Sequence, residues 1–270
     1  MKIQYENVKL PECDCTNIPV QLTDETMKER LNKVLDRMNC ENFDSLVIYA
    51  DLEHGNNFEY LTGFLPRFEE ALLILNTNGN HYMVLGNENL NKASKARIKA
   101  TPIHCPYFSL PNQPMDVKKG IKDILSQCGF DKANKVGIVG WKNFTSNYED
   151  NSQLFDVPYY IVDTIRDIFG YNIYNATRLF IGDNGARCTN NVNEIVHYEF
   201  GAALASDCIL KAMNHLDVGV SEMELGDILN AYGQKNSVVT IAASGPRFIK
   251  ANIYPTNNTV KLKDPISLSI

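Results

Sequence analysis

The strongest constraint on how this chain folds is a pair of apolar runs, Ala71-Leu72-Leu73-Ile74-Leu75 and His81-Tyr82-Met83-Val84-Leu85, joined by Asn76-Thr77-Asn78-Gly79-Asn80. The Asn-Gly step supplies the positive φ that a tight reversal requires, so an antiparallel strand pair is expected. Residues 44–50 form a short β-branched run bounded by polar residues, which suits a buried strand. Residues 135–140 read as a further strand ending in a glycine.

Helices alternate with these strands. Thr23 and Asp24 are cap candidates for a helix in which Met27, Leu31, Val34, Leu35 and Met38 recur at helical spacing, ending near Asn39. Helical periodicity returns over 115–128 and over 159–169, where Gly170 stops it. The alternation predicts an α/β layer around a mixed sheet flanked by helices. Gly182-Asp183-Asn184-Gly185 concentrates loop formers and lacks the spacing of a phosphate-binding loop, so it reads as a linker. The expected division is 1–183 and 184–270.

In the second part, Val192, Ile195, Val196, Ala203, Leu210 and Met213 share one face of a helix over about 191–215. Ser221-Glu222-Met223-Glu224 is a capping box that starts another helix, expected to run to about Tyr232. Residues 238–243 and 265–270 are strand-like. Two helices and a few strands need further elements to cover their apolar faces, so 184–270 is expected to be the opening of a larger layered domain.

Composition narrows the function classes. The 26 basic against 32 acidic residues give a net charge of −6, without the basic surplus of a nucleic-acid binder. No run reaches the roughly 18 apolar residues of a membrane span. The N-terminus lacks the apolar core of a signal peptide, and a cytoplasmic protein is expected. The seven cysteines, Cys13, Cys15, Cys40, Cys105, Cys128, Cys188 and Cys208, are scattered and odd in number. Reduced thiols are expected, because neither Cys13/Cys15 nor His104/Cys105 has a second pair at structural zinc spacing.

Several motifs together resemble the creatinase, prolidase and Xaa-Pro aminopeptidase family. Asn57-Phe58-Glu59-Tyr60-Leu61-Thr62-Gly63-Phe64 with the hairpin that follows is similar to the family's creatinase-type N-terminal domain. Glu194-Ile195, then Gly219-Val220-Ser221-Glu222-Met223-Glu224-Leu225, then Ala243-Ser244-Gly245 leading to Tyr254-Pro255-Thr256 are similar to the opening of its pita-bread domain, a partial α+β unit here. The resemblance implies a hydrolase of proline-containing peptides in which two divalent metal ions (manganese, cobalt or zinc) are held by two Asp, one His and two Glu, and a separate histidine in a His-x-x-Pro context binds the substrate. Two adjacent cations lower the pKa of a bridging water and stabilise the developing oxyanion.

Carried over residue by residue, the resemblance puts Asn252 at the cleft histidine and Ser269 at the first metal-binding Asp. The two are 17 residues apart, in agreement with the family spacing. The remaining ligands would fall beyond residue 270, so no metal cofactor is expected in this chain and activity on its own is not expected. A neutral serine hydroxyl is a poor substitute for a bridging carboxylate. Asn252 is either a retained cleft residue or a loop residue before a proline turn, and it cannot act as an acid or base. Arg67, Glu69 and Glu70 either reach into a partner's cleft in a family-like homodimer or form a solvated charged loop. Arg67 and Tyr254 are the expected cleft residues. His54 reads as a solvent-exposed loop histidine, and His197 and Glu199 as the edge of the helical stripe. The alternative to a hydrolase is a non-catalytic peptide-binding or dimerisation module.

Overall fold

The computed structural model describes residues 6, 19–113, 115, 118–130, 134–236, 238–251 and 254–270. The chain divides into two compact units, one of 22–191 and one built on 192–270 with the segment preceding residue 22.

In the first unit the helix read from Thr23 forms as α1 (Asp24–Cys40), with the Thr23 hydroxyl accepting from the Thr26 N–H at 3.2 Å. After it come β1 (Ser45–Ala50), α2 (Asn56–Thr62), β2 (Ala71–Asn76), β3 (Tyr82–Leu85) and β4 (Thr101–His104). Then follow α3 (Ile121–Leu125), β5 (Val136–Val139), α4 (Tyr159–Phe169), β6 (Ile173–Asn175) and α5 (Arg178–Ile181). The strands form one mixed sheet in the order β4-β3-β2-β1-β5-β6. β2 is antiparallel to β1 and to β3, while the β3/β4, β1/β5 and β5/β6 pairs are parallel. The expected hairpin is therefore β2/β3, and Gly79 at φ +84° closes it.

The buried strands read as continuous apolar runs because both faces of the sheet are covered. Leu46, Ile48 and Ala50 of β1 enter one cluster with Val34, Met38, Phe58 and Leu61 from α1 and α2. Val47 and Tyr49 enter another with Ile124 and Leu125 of α3 and Ile161 and Ile165 of α4. Five strands point one way and β2 the other, so the carboxyl ends of β1, β3, β4, β5 and β6 share an edge with the segment that enters β2.

The second unit holds α6 (Val192–His215), α7 (Glu222–Ile228), β7 (Ile241–Ser244), α8 (Gly245–Ile249) and β8 (Ile266–Ser269), with β7 and β8 antiparallel. Leu204, Cys208 and Ala212 of α6 pack with Leu225, Leu229, Ala242 and Val260. Among the described residues no helix is long and apolar enough to cross a membrane.

Four expectations change. The helix over 115–128 is confined to α3, because Gly120 is extended at ψ 160° and caps rather than continues it. The buried face of α6 is Leu204, Cys208 and Ala212, an i, i+4 row; Val192, Ile195, Val196 and Met213 are exposed. α7 stops at Ile228, and Tyr232 adopts φ +54°, outside the right-handed helix. The strand expected from Val238 begins at Ile241, matching the four residues its partner β8 offers.

Candidate functional site

The Ser221-Glu222-Met223-Glu224 motif does two separate jobs. Glu224 completes the capping box: its Oε2 accepts from the Ser221 N–H at 2.8 Å, and the Ser221 hydroxyl accepts from the Glu224 N–H at 3.2 Å. Glu222 turns the other way, into the unit, where it is fully buried. Its Oε1 accepts from the Ser244 N–H at 2.8 Å, the Ser244 hydroxyl at 3.0 Å and Asn258 Nδ2 at 3.2 Å. Its Oε2 accepts from Arg247 Nε at 2.9 Å, the Thr256 N–H at 3.1 Å and the Thr256 hydroxyl at 2.7 Å. Burial alone would raise this carboxyl, but the hydrogen bonds from Thr256, Ser244 and Asn258 outweigh it and hold the group down at about 2. One carboxylate thus ties α7 to the end of β7, to α8 and to the 254–258 segment.

Tyr254 stands on that segment with its ring exposed and its carbonyl accepting from Arg247 Nη2 at 2.7 Å. Ser269 is half-buried on β8, opposite Ile241. Asn252 lies outside the described residues. Arg67 belongs to the first unit, exposed, with its guanidinium 4.6 Å from the Phe68 ring centroid. Tyr254 and Ser269 therefore share a unit, and Arg67 does not join them.

The metal pair implied by the resemblance finds no matching donor set here. Ser269 offers a neutral hydroxyl, the Glu222 oxygens are saturated by internal donors, and among the described residues no three His, Cys, Asp or Glu side chains could together hold a metal ion.

At the carboxyl edge of the first unit, two expectations of solvated side chains are overturned. Glu69 is only 4% exposed, because its carboxylate accepts from the Glu88 N–H at 2.9 Å, the Asn89 N–H at 3.0 Å and Asn89 Nδ2 at 2.8 Å. His54 is drawn in by Asp51, whose Oδ2 lies 3.0 Å from Nδ1, and stacks on Trp141 with centroids 4.9 Å apart. Burial pushes Asp51 up, yet hydrogen bonds from the His54 ring and from the His54 and Glu53 N–H groups bring it below the usual carboxylate range. Glu70 is raised, chiefly by burial. Glu199, by contrast, is exposed, and His197 meets the Val20 carbonyl through Nδ1. Sequence reasoning missed this edge cluster, since only strand pairing brings Asp51 and His54 after β1 beside Glu70 before β2.

The turn at 182–187 belongs to the first unit. The Ala186 and Arg187 N–H groups donate to the Leu179 and Phe180 carbonyls at 2.8 and 2.9 Å, and the Tyr60 hydroxyl donates to the Ala186 carbonyl at 3.0 Å.

A mixed sheet covered on both faces, followed by a helix-and-hairpin unit locked by one buried carboxylate, defines a two-unit α/β chain. Residues 30–166 match the Creatinase/Prolidase N-terminal domain, and the chain belongs to that family. Its fold is that of the creatinase-type N-terminal domain followed by part of the pita-bread fold. An Xaa-Pro dipeptidase from Bacillus anthracis superposes with a TM-score of 0.60 at 14% identity, covering 90% of this chain and 60% of that one. A prolidase from Pyrococcus furiosus gives 0.61 at 16%, covering 88% and 64%. Dipeptidase PepE from Mycobacterium ulcerans gives 0.62 at 15%, covering 92% and 61%. The chain thus spans about 60% of the length of these solved structures. No curated protein matches its sequence.

Proposed function

We propose that these 270 residues form the frame of a prolidase or Xaa-Pro aminopeptidase-like protein and do not by themselves hydrolyse proline-containing peptides. The observation that carries this reading is Ser269, a neutral hydroxyl on β8 at the position where the resemblance implies the first metal-binding Asp. A divalent pair needs several anionic donors to offset its charge, and serine supplies none. In this reading Arg67, Tyr254 and Asn252 line a cleft for a proline-containing peptide, the chain forms a homodimer in the cytoplasm, and no metal is held. Similarity to the Xaa-Pro dipeptidase and prolidase structures supports the peptide class. Cleavage of Xaa-Pro dipeptides and longer Xaa-Pro peptides by the purified chain, with added manganese, tests it. The expected result is no turnover above the metal-only blank; turnover that scales with protein and vanishes on chelation overturns it.

A further inference from the structure

The carboxyl edge of the first unit's sheet carries a cavity of about 550 Å³, lined among others by Tyr49, Asp51, His54, Phe68, Glu70 and Tyr107. Crevices outside the carboxyl ends of parallel strands are where open α/β sheets bind small molecules, and this volume is in the range of such pockets. We propose that this cavity binds an organic ammonium group, carried by a small free amine or by a lysine side chain.

Charge and shape both point to that chemistry. Among the described residues, neither Lys nor Arg lines the cavity. Arg67 instead lies over Phe68, and Lys142 over Trp141 with its Nζ 5.2 Å from the ring centroid. Asp51 is held ionised by the N–H groups of residues 53 and 54 and by the His54 ring. Glu70 is half-buried, and its carboxylate accepts from the Tyr160 hydroxyl at 3.4 Å, a long hydrogen bond. Its neighbour Glu69 is satisfied by the 88–89 turn and has no oxygen to spare for a ligand. The groups that bear on Glu70 are Tyr160, Asp51 and Glu69, the two acids raising its pKa and none of the three supplying a positive charge. A desolvated carboxylate beside a second one is stabilised by a cation placed between them. The rings of Tyr49, Phe68 and Tyr107 add the faces on which alkylammonium groups rest. This assignment does not depend on whether the second unit holds metal.

The test is an NMR titration of the full chain with n-butylammonium chloride and with Nα-acetyl-lysine methylamide, using n-butanol as the neutral analogue. Saturable shifts confined to the amides near 51–54 and 68–70 are expected with the ammonium probes and not with butanol. Affinity should fall at least tenfold in Glu70→Gln and in Asp51→Asn, and should weaken as pH drops and Glu70 takes up a proton. Thermal melts establish that each variant is folded. If Glu70→Gln is not, Asp51→Asn and the wild-type pH series decide. Binding of both probes assigns a site open to lysine side chains; binding of butylammonium alone assigns free amines. Unsaturable or scattered shifts, equal shifts with butanol, or folded variants within twofold of wild type overturn the proposal.

Discussion

Replacing Glu222 by Gln keeps the side chain's shape and removes its charge. The wild-type carboxyl lies at about 2 against 4.5 for an unstrained Glu. At about 1.4 kcal/mol per pKa unit, the folded state gains about 3 kcal/mol from ionised Glu222. Because the folded value is depressed, that stability is fully present above about pH 4.5 and is lost as pH falls towards about 2. Glutamine also turns one acceptor into an amide NH₂ facing the N–H and hydroxyl donors of Ser244 or Thr256, and leaves Arg247 without its anion. The expected cost at pH 7 is about 3 kcal/mol, a displacement of roughly 1–3 M in the urea midpoint at typical slopes. Urea unfolding with amide exchange at Ser244 and Thr256 reads it, as the second unit should open first. The difference between variant and wild type should shrink between pH 5 and pH 2.5. A variant midpoint within about 0.3 M of wild type, or a difference that does not change with pH, would refute the assignment of Glu222 as the lock of this unit.

Three more outcomes follow from local geometry. A Cβ at Gly140 would lie 2.1 Å from Asp156 Oδ1, displacing the carboxylate that caps the Trp141 and Lys142 N–H groups, each at 2.7 Å. Gly140→Ala should cost about 2–3 kcal/mol in chemical denaturation. Thr23→Ala removes the α1 cap and should cost about 1 kcal/mol, with faster amide exchange in the first turn. Gly63 sits at φ +78°, and a Cβ there would lie 2.6 Å from Arg97 Cγ, so Gly63→Ala should lower thermal stability by about 1–2 kcal/mol.

The first unit was largely legible because its signals are local. The Thr23 cap, the Asn-Gly reversal and the Gly170 stop each fix a boundary within a few residues, and α4 spans the whole of the run from Tyr159 to Phe169. The family resemblance was legible from the Gly-x-Ser-Glu-x-Glu-Leu stretch, and Ser221 and Glu224 form the capping box it spells. What stayed hidden depends on distant partners. Glu222 looks like any first-turn acid until β7 and residues 256–258 close around it, and Glu69 looks solvated until Asn89 arrives from twenty residues away. The face of α6 was misread because Val192, Ile195 and Val196 satisfy helical period while remaining exposed; periodicity gives a stripe, and only packing against α7 and β7 says which stripe is buried.

The central claim, that Ser269 and its surroundings cannot replace the anionic donors of a two-metal centre, is tested most directly by metal stoichiometry. Equilibrium dialysis of the full chain against manganese, followed by elemental analysis, is predicted to leave well under one ion per chain, with Ser269→Asp no different. Two ions per chain, retained after dialysis into metal-free buffer and lost only on chelation, would contradict the account.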